Sequence, residues 1–193
     1  MLQQQKFGEA IEIKKRRSSV LNENGWKVRR MNETEQEMMR EVAADELSRL
    51  VYKLKNYKPD RYACLVAEAA SSDTPEVEQE VVGVVDATVY SDDNVLQYLP
   101  GATEYIYISG IAVLNKFRRQ KVASALLKAC DVLARFWRFE YLVLRAYEDD
   151  FGAQRLYTTV GYKVVAGEAP WKTKWIARRR QVLMVKHVSQ ISV

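Results

Sequence analysis

The chain has a single histidine and two cysteines among 193 residues. His187 sits beside Lys186 in a late apolar run with no second imidazole to join it, so a histidine-built metal site or a catalytic histidine is disfavoured. Cys64 and Cys130 each lie in an apolar run, and no Cys-x-x-Cys or Cys/His spacing surrounds them. Neither a disulfide framework nor a zinc site is supported, and a reducing compartment is favoured. No run of about 18 apolar residues occurs, so no membrane-spanning helix and no membrane partner are expected. The N-terminus has no apolar signal-peptide core, and no period of about 20 to 50 residues repeats.

Charge is also modest. Thirty Lys and Arg against 25 Asp and Glu give +5, which leans toward anionic ligands but falls short of a dedicated nucleic-acid binder. No interleaved aromatic and basic RNA-recognition motif is present, and no nucleic-acid partner is expected.

What remains is a globular composition, 48% apolar and 28% charged, with material for one core. Residues 1–25 are polar and carry "KKRRSS" from Lys14, a basic tail expected to lack fixed structure or to be a remnant of a targeting peptide or an anion-binding arm. Glu9, Glu12 and Glu23 argue against an intact, acid-poor transit peptide. The folded domain is expected over 26–188, with a short tail over 189–193.

Strand and helix signals alternate along that domain. "WKVRRM" from Trp26 predicts a strand, and "NETEQEMMREVAADELSRLVYKL" a helix begun by the capping box Asn32 and Glu35 and closed before Pro59. "RYACLVAEA" and "EVVGVVDATVY" predict a hairpin around the polar "ASSDTPEVEQ". "SDDNVLQYLPGA" predicts a loop, and "EYIYISGIAVL" a buried strand bulged at Gly110. Val122, Leu126, Ala129, Leu133 and Phe136 form one helical stripe, opposite Lys121, Lys128, Arg135 and Arg138. "EYLVLRAYE" predicts a strand, "DDFGAQRLYTTVG" a short helix ended at Gly161, and "YKVVAG" and "RRRQVLMVKHV" two last strands. The order predicts an α/β fold, a mixed central sheet with helices on both faces.

The stretch "NKFRRQKVAS", Asn115 to Ser124, joins the bulged strand to the striped helix through a basic turn. A helix start presents unpaired N–H groups and positive potential, and anions bind there. The donors would come from Arg119 through Ser124, with the charges of Arg118, Arg119 and Lys121 beside them; the alternative is a solvated, charged helix end. The bulge at Gly110 would splay the sheet and leave backbone groups of Ile111, Ala112 and Val113 free for a ligand.

Together these residues resemble the GNAT superfamily of acyl-CoA N-acyltransferases, over roughly 26–188. The pyrophosphate-loop pattern of that superfamily matches Arg118, Arg119, Gln120, Lys121, Val122 and Ala123, and its downstream pattern matches Asp150, Ala153, Leu156, Tyr157, Gly161 and Tyr162. Two positions depart: Lys121 stands where glycine is usual and Asp150 where asparagine is. Asp150 as a helix N-cap is the alternative to a cofactor contact. The resemblance implies the GNAT fold, splayed at the cofactor site, with acetyl-CoA as co-substrate and no metal. It implies cofactor contacts from Ile111, Ala112, Val113, Arg119, Gln120, Lys121, Val122, Ala123, Ser124, Asp150, Phe151, Gly152 and Tyr157. It is strongest toward plastid GNAT-like proteins of plants that acetylate both lysines and protein N-termini, which implies protein α-amines and lysine ε-amines as substrates and a plastid stromal address. Oligomeric state is open.

The same resemblance makes Tyr157 the catalytic proton donor to the departing thiolate; a phenol of pKa about 10 is protonated at neutral pH. A packing tyrosine is the plainer alternative. Backbone N–H groups near Ile111 to Val113 would meet the tetrahedral oxyanion. Glu104, Ser109 and Glu148 are candidates for a base acting through water. Trp171 and Trp175 are candidates for a peptide-binding lip or for loop anchors, and Arg178 to Arg180 read as charges on a strand edge. Small amines such as polyamines are the rival substrates; no obvious acidic pocket sequence for polycations is present, although "EDD" from Glu148 leaves that option open. A non-catalytic binding protein using the basic surface is the rival function.

Overall fold

A computed structural model describes residues 19–31, 58, 60–69, 80–168 and 179–189. The helix expected from Asn32 and the loop holding Trp171 and Trp175 lie outside the described residues. Strands form where β-branched and aromatic side chains alternate: β1 Ser19–Glu23, β2 Trp26–Arg30, β3 Tyr62–Ala69, β4 Val81–Tyr90, β5 Tyr105–Val113, β6 Tyr141–Tyr147, β7 Lys163–Gly167 and β8 Gln181–His187. Three described helices join them: α1 Asp93–Leu96, α2 Val122–Trp137 and α3 Phe151–Thr159.

The sheet runs β1-β2-β3-β4-β5-β6-β8-β7. Every pairing is antiparallel except β5 with β6. Alternation along the strands divides the core. Leu142, Leu144, Val182 and Met184 pack with α2 and α3, whereas Val143, Leu183 and Val185 pack with Val95 and Leu99 around α1. Among the described residues, helices therefore cover both faces.

Three expectations are corrected. First, the tail is shorter than 1–25, because β1 pairs with β2 through Asn24 (φ 51°) and Gly25 (φ 78°), and Val20 and Leu21 pack on the core. Asn-Gly is the dipeptide a two-residue hairpin turn requires, since both central residues need positive φ. Second, the stretch after Tyr90 holds the single-turn α1, capped by Asp92, whose carboxylate accepts from the Asn94 amide at 3.0 Å. Third, Phe136 is 79% exposed, while Val122, Leu126, Ala129 and Leu133 are buried as their spacing predicts. Spacing fixes an angle around the helix, not whether anything reaches the last turn. Arg138, at φ 63°, ends the helix just beyond it.

Near the start of α2, β4 and β5 each carry a glycine with a structural task. Gly83 lets the first turn of α2 rest on the sheet, because a Cβ there would stand 3.0 Å from Val122 Cγ1 and 3.1 Å from the Ala112 carbonyl. On β5, Val84 faces Ala112 and Asp86 faces Ser109, so Gly110 and Ile111 together oppose Val85. Gly110 makes that bulge at φ 62°. Beyond it β5 keeps its partner β4 but leaves β6, with which it pairs only at Ile106–Leu142 and Tyr107–Val143.

Candidate active site

Where β5 and β6 separate, a cleft of about 740 Å³ opens between the end of β5, the turn into α2, and α3. One wall is polar. The first backbone bond of α2 runs from Ala125 N–H to the Lys121 carbonyl at 3.0 Å. The amides of Lys121, Val122, Ala123 and Ser124 therefore have no acceptor among the described residues. No acidic residue occupies the first turn, and Lys121, the N-cap, makes no side-chain cap. The helix dipole adds to this positive end.

The turn is strained. Arg119 (φ 63°) and Lys121 (φ 65°) both lie in the left-handed region, where a Cβ costs about 1–2 kcal/mol. Lys121 holds the position that glycine would occupy without strain. Arg118, Arg119, Lys121 and Arg155 line the cleft, and none has a carboxylate partner among the described residues. Arg118 donates weakly through Nε to the Val113 carbonyl at 3.4 Å.

The other wall is α3. Asp150 is its N-cap, accepting from the Ala153 amide at 2.9 Å, and it also lines the cleft. The two readings of Asp150 are thus compatible in space. Tyr157 is 8% exposed, borders the cleft, and packs edge-to-face on Tyr162 with ring centroids 6.1 Å apart. Burial, then the charge of Asp150, then Tyr107, push its phenol above the ordinary range, which favours the protonated form.

Of the thirteen residues expected at a cofactor site, all but Gln120 and Phe151 line this cleft. Gln120 is exposed between the two left-handed residues; its side-chain amide donates to the Lys116 carbonyl at 3.0 Å. Phe151, the first residue of α3, is 78% exposed. Arg155 and Thr159 line the cleft without having been anticipated. Their signal was available, since Gly152, Arg155, Leu156 and Thr159 follow the spacing of one helix face.

The base candidates fall elsewhere. Glu104 pairs with Arg61 at the start of β5, Ser109 faces Asp86 across the bulge, and Glu148 pairs with Arg180 at 2.9 Å. None of the three lines the cleft. The acidic cluster is internally occupied too: Asp149 pairs with Arg179 at 2.6 Å and Asp150 caps α3. Arg179 and Arg180 are thereby ion-pair partners rather than free edge charges. The exposed ring of His187 packs against Tyr141 at 5.1 Å. Among the described residues no three His, Cys, Asp or Glu side chains converge as metal ligands.

Comparison with known proteins identifies the family of the chain independently of these site features. Residues 28–162 match the Acetyltransferase (GNAT) family. GCN5-related N-acetyltransferase 10, chloroplastic, of Arabidopsis thaliana is 45% identical over 193 aligned residues, which span 88% of this chain and 75% of that one. The fold matches Arabidopsis thaliana NAA60 in complex with acetyl-CoA at a TM-score of 0.66 and 16% identity, covering 84% of this chain and 98% of that one. It also matches the ribosomal-protein-S18-alanine N-acetyltransferase of Escherichia coli, at 0.57 and 13%, over 86% and 96%. With a family match across most of its length and that degree of identity to the chloroplastic relative, the chain belongs to the GNAT acetyltransferases.

Proposed function

We propose that this chain is an acetyl-CoA-dependent N-acetyltransferase acting on protein amines, both N-terminal α-amines and lysine ε-amines. The observation that carries the reading is the cleft at the β5–β6 separation, with four free amides on one wall and a protonated phenol on the other. Acetyl-CoA supplies the activated acyl thioester. The amides of Lys121 to Ser124 and the cations Arg118, Arg119, Lys121 and Arg155 suit its phosphates. The edge of β5 at Ile111 to Val113, without a strand partner on the β6 side among the described residues, would take its amide-bearing arm and the oxyanion. Tyr157 donates the proton to the departing thiolate, and Asp150 holds α3 in place while bordering the site.

The substrate class follows from proton chemistry. Asp150 is the only carboxylate on the described cleft wall, and it is engaged as a cap. An α-amine of pKa about 7.7–8 is about half neutral or more near pH 8, whereas a lysine of about 10.4 is almost wholly charged, so N-termini demand less of a base. Polyamines suit the site less, since Glu148, Asp149 and Asp150 all have partners. The protein substrate named for the Escherichia coli structure supports the same choice, and the chloroplastic relative supports a plastid address.

The test is mass spectrometry of a proteome and of free polyamines after incubation with the enzyme and acetyl-CoA. Acetylated α-amines, with fewer lysines, are expected; acetylated polyamine alone would overturn the protein-substrate reading. Thermal unfolding with acetyl-CoA checks the co-substrate, and a midpoint unmoved at high concentration would overturn it.

A further inference from the structure

The turn that presents the four amides is held in a conformation its own residues oppose. Arg119 and Lys121, at φ 63° and 65°, flank Gln120, and neither is a glycine. Strained backbone of this kind persists only where the surroundings over-determine it. The 3-10 turn Asn115–Phe117 and the Gln120 side chain brace the turn locally. A third brace comes from the far end of the sequence. Trp26, at the start of β2 and 7% exposed, donates its indole N–H to the Gln120 carbonyl at 2.8 Å, across a separation of 94 residues. The same ring packs edge-on to Phe117, with centroids 5.8 Å apart at 85°.

We infer that Trp26 is a positioning residue for acetyl-CoA binding, locking the carbonyl between Arg119 and Lys121 so that the amides of Lys121 to Ser124 point into the cleft. The indole fixes one peptide plane, and that plane sets the orientation of the next N–H groups. A glycine at 121 would accept the left-handed geometry on its own; with lysine there, an outside tether supplies what glycine would. Trp26 does not line the cleft. The inference rests on the acetyl-CoA reading of that cleft.

The test is a double-mutant cycle read by calorimetric acetyl-CoA affinity and by steady-state kinetics. Trp26→Phe keeps an aromatic ring and removes the N–H. It is expected to weaken acetyl-CoA binding roughly tenfold through KM, leaving kcat within about twofold, as fits loss of one hydrogen bond that fixes a binding loop. In the Lys121→Gly background the same change is expected to cost about twofold or less, because the loop no longer needs the tether. The lysine charge is absent from both members of the pair compared in the Lys121→Gly background, so its loss cancels. An equal penalty in both backgrounds, or none in the Lys121 background, overturns the inference. If Trp26→Phe unfolds below assay temperature, β-(3-benzothienyl)alanine at position 26 keeps the bicyclic shape, removes only the N–H, and is judged by the same comparison. Absence of acetyl-CoA binding by the unsubstituted protein would instead sink the proposed function, so the two failures are distinguishable.

Discussion

At the scale of single residues, the proposed chemistry rests on Tyr157 and Lys121. Burial and the nearby Asp150 carboxylate both disfavour a phenolate at Tyr157, so its pKa moves up and the proton stays on through the working range. Tyr157→Phe is expected to preserve acetyl-CoA affinity and to lower kcat roughly 10²-fold, the scale of a lost general acid. Calorimetry and steady-state kinetics check the two halves. The pH profile carries the sign: kcat/KM should rise as the substrate α-amine deprotonates near about 8 and show no Tyr157 limb below about 10. An alkaline limb centred below about pH 9 that Tyr157→Phe abolishes would contradict the raised pKa. Lys121 is strained where it stands, so Lys121→Gly should hold or raise the melting temperature, with relief of about 1–2 kcal/mol offset by about 0.5–1 kcal/mol of chain entropy. If its ammonium meets phosphate, the same substitution should weaken acetyl-CoA binding about threefold, as for an exposed charge.

At the scale of elements, the site depends on where two helices begin. α3 starts at Asp150 because its carboxylate accepts from Ala153. Asp150→Ala should cost about 1 kcal/mol in chemical denaturation, while Asp150→Asn, an equally good cap, should be near neutral. A large loss for both would mean that the charge itself matters. α2 reaches the cleft because Gly83 leaves room beneath its first turn. Gly83→Ala forces a Cβ against the Ala112 carbonyl and Val122, and should destabilise the fold by about 1–3 kcal/mol and weaken acetyl-CoA binding together. Much at this scale was legible beforehand: the hairpin of β3 and β4, the bulge at Gly110, the stripe of α2 and the stop at Gly161 all follow from local pattern. Asn24–Gly25 is the local signal of the β1–β2 hairpin, and the basic, polar run before it hides that signal because the turn dipeptide alone, not the flanking composition, sets the pairing. The exposure of Phe136 was not legible, because periodicity says nothing of what lies beyond the end of a helix.

Across the whole molecule, the two helices that frame the cleft are tied from behind. Lys186 on β8 pairs with Asp131 on α2 at 2.6 Å, lies over the Tyr162 ring at 5.8 Å, and packs against the turn at Gly161. Tyr162 in turn touches Tyr157. Both charges are largely buried, so Lys186→Met should cost about 3 kcal/mol by stranding Asp131, and Asp131→Leu with Lys186→Met should recover most of it. Thermal unfolding of the single and double variants checks this. What the sequence determined by itself was local: which segments pair or coil, which turn offers amides to an anion, and that Tyr157 follows Asp150 at helical spacing. Only the tertiary structure decided that β5 leaves β6 after Tyr107. It alone engaged Glu104 and Glu148 in ion pairs away from the cleft, added Arg155 to its wall, and brought Trp26 to Gln120. Those outcomes depend on contacts between residues tens of positions apart, whose distances are set by how strands and helices stack and not by the pattern within any one of them.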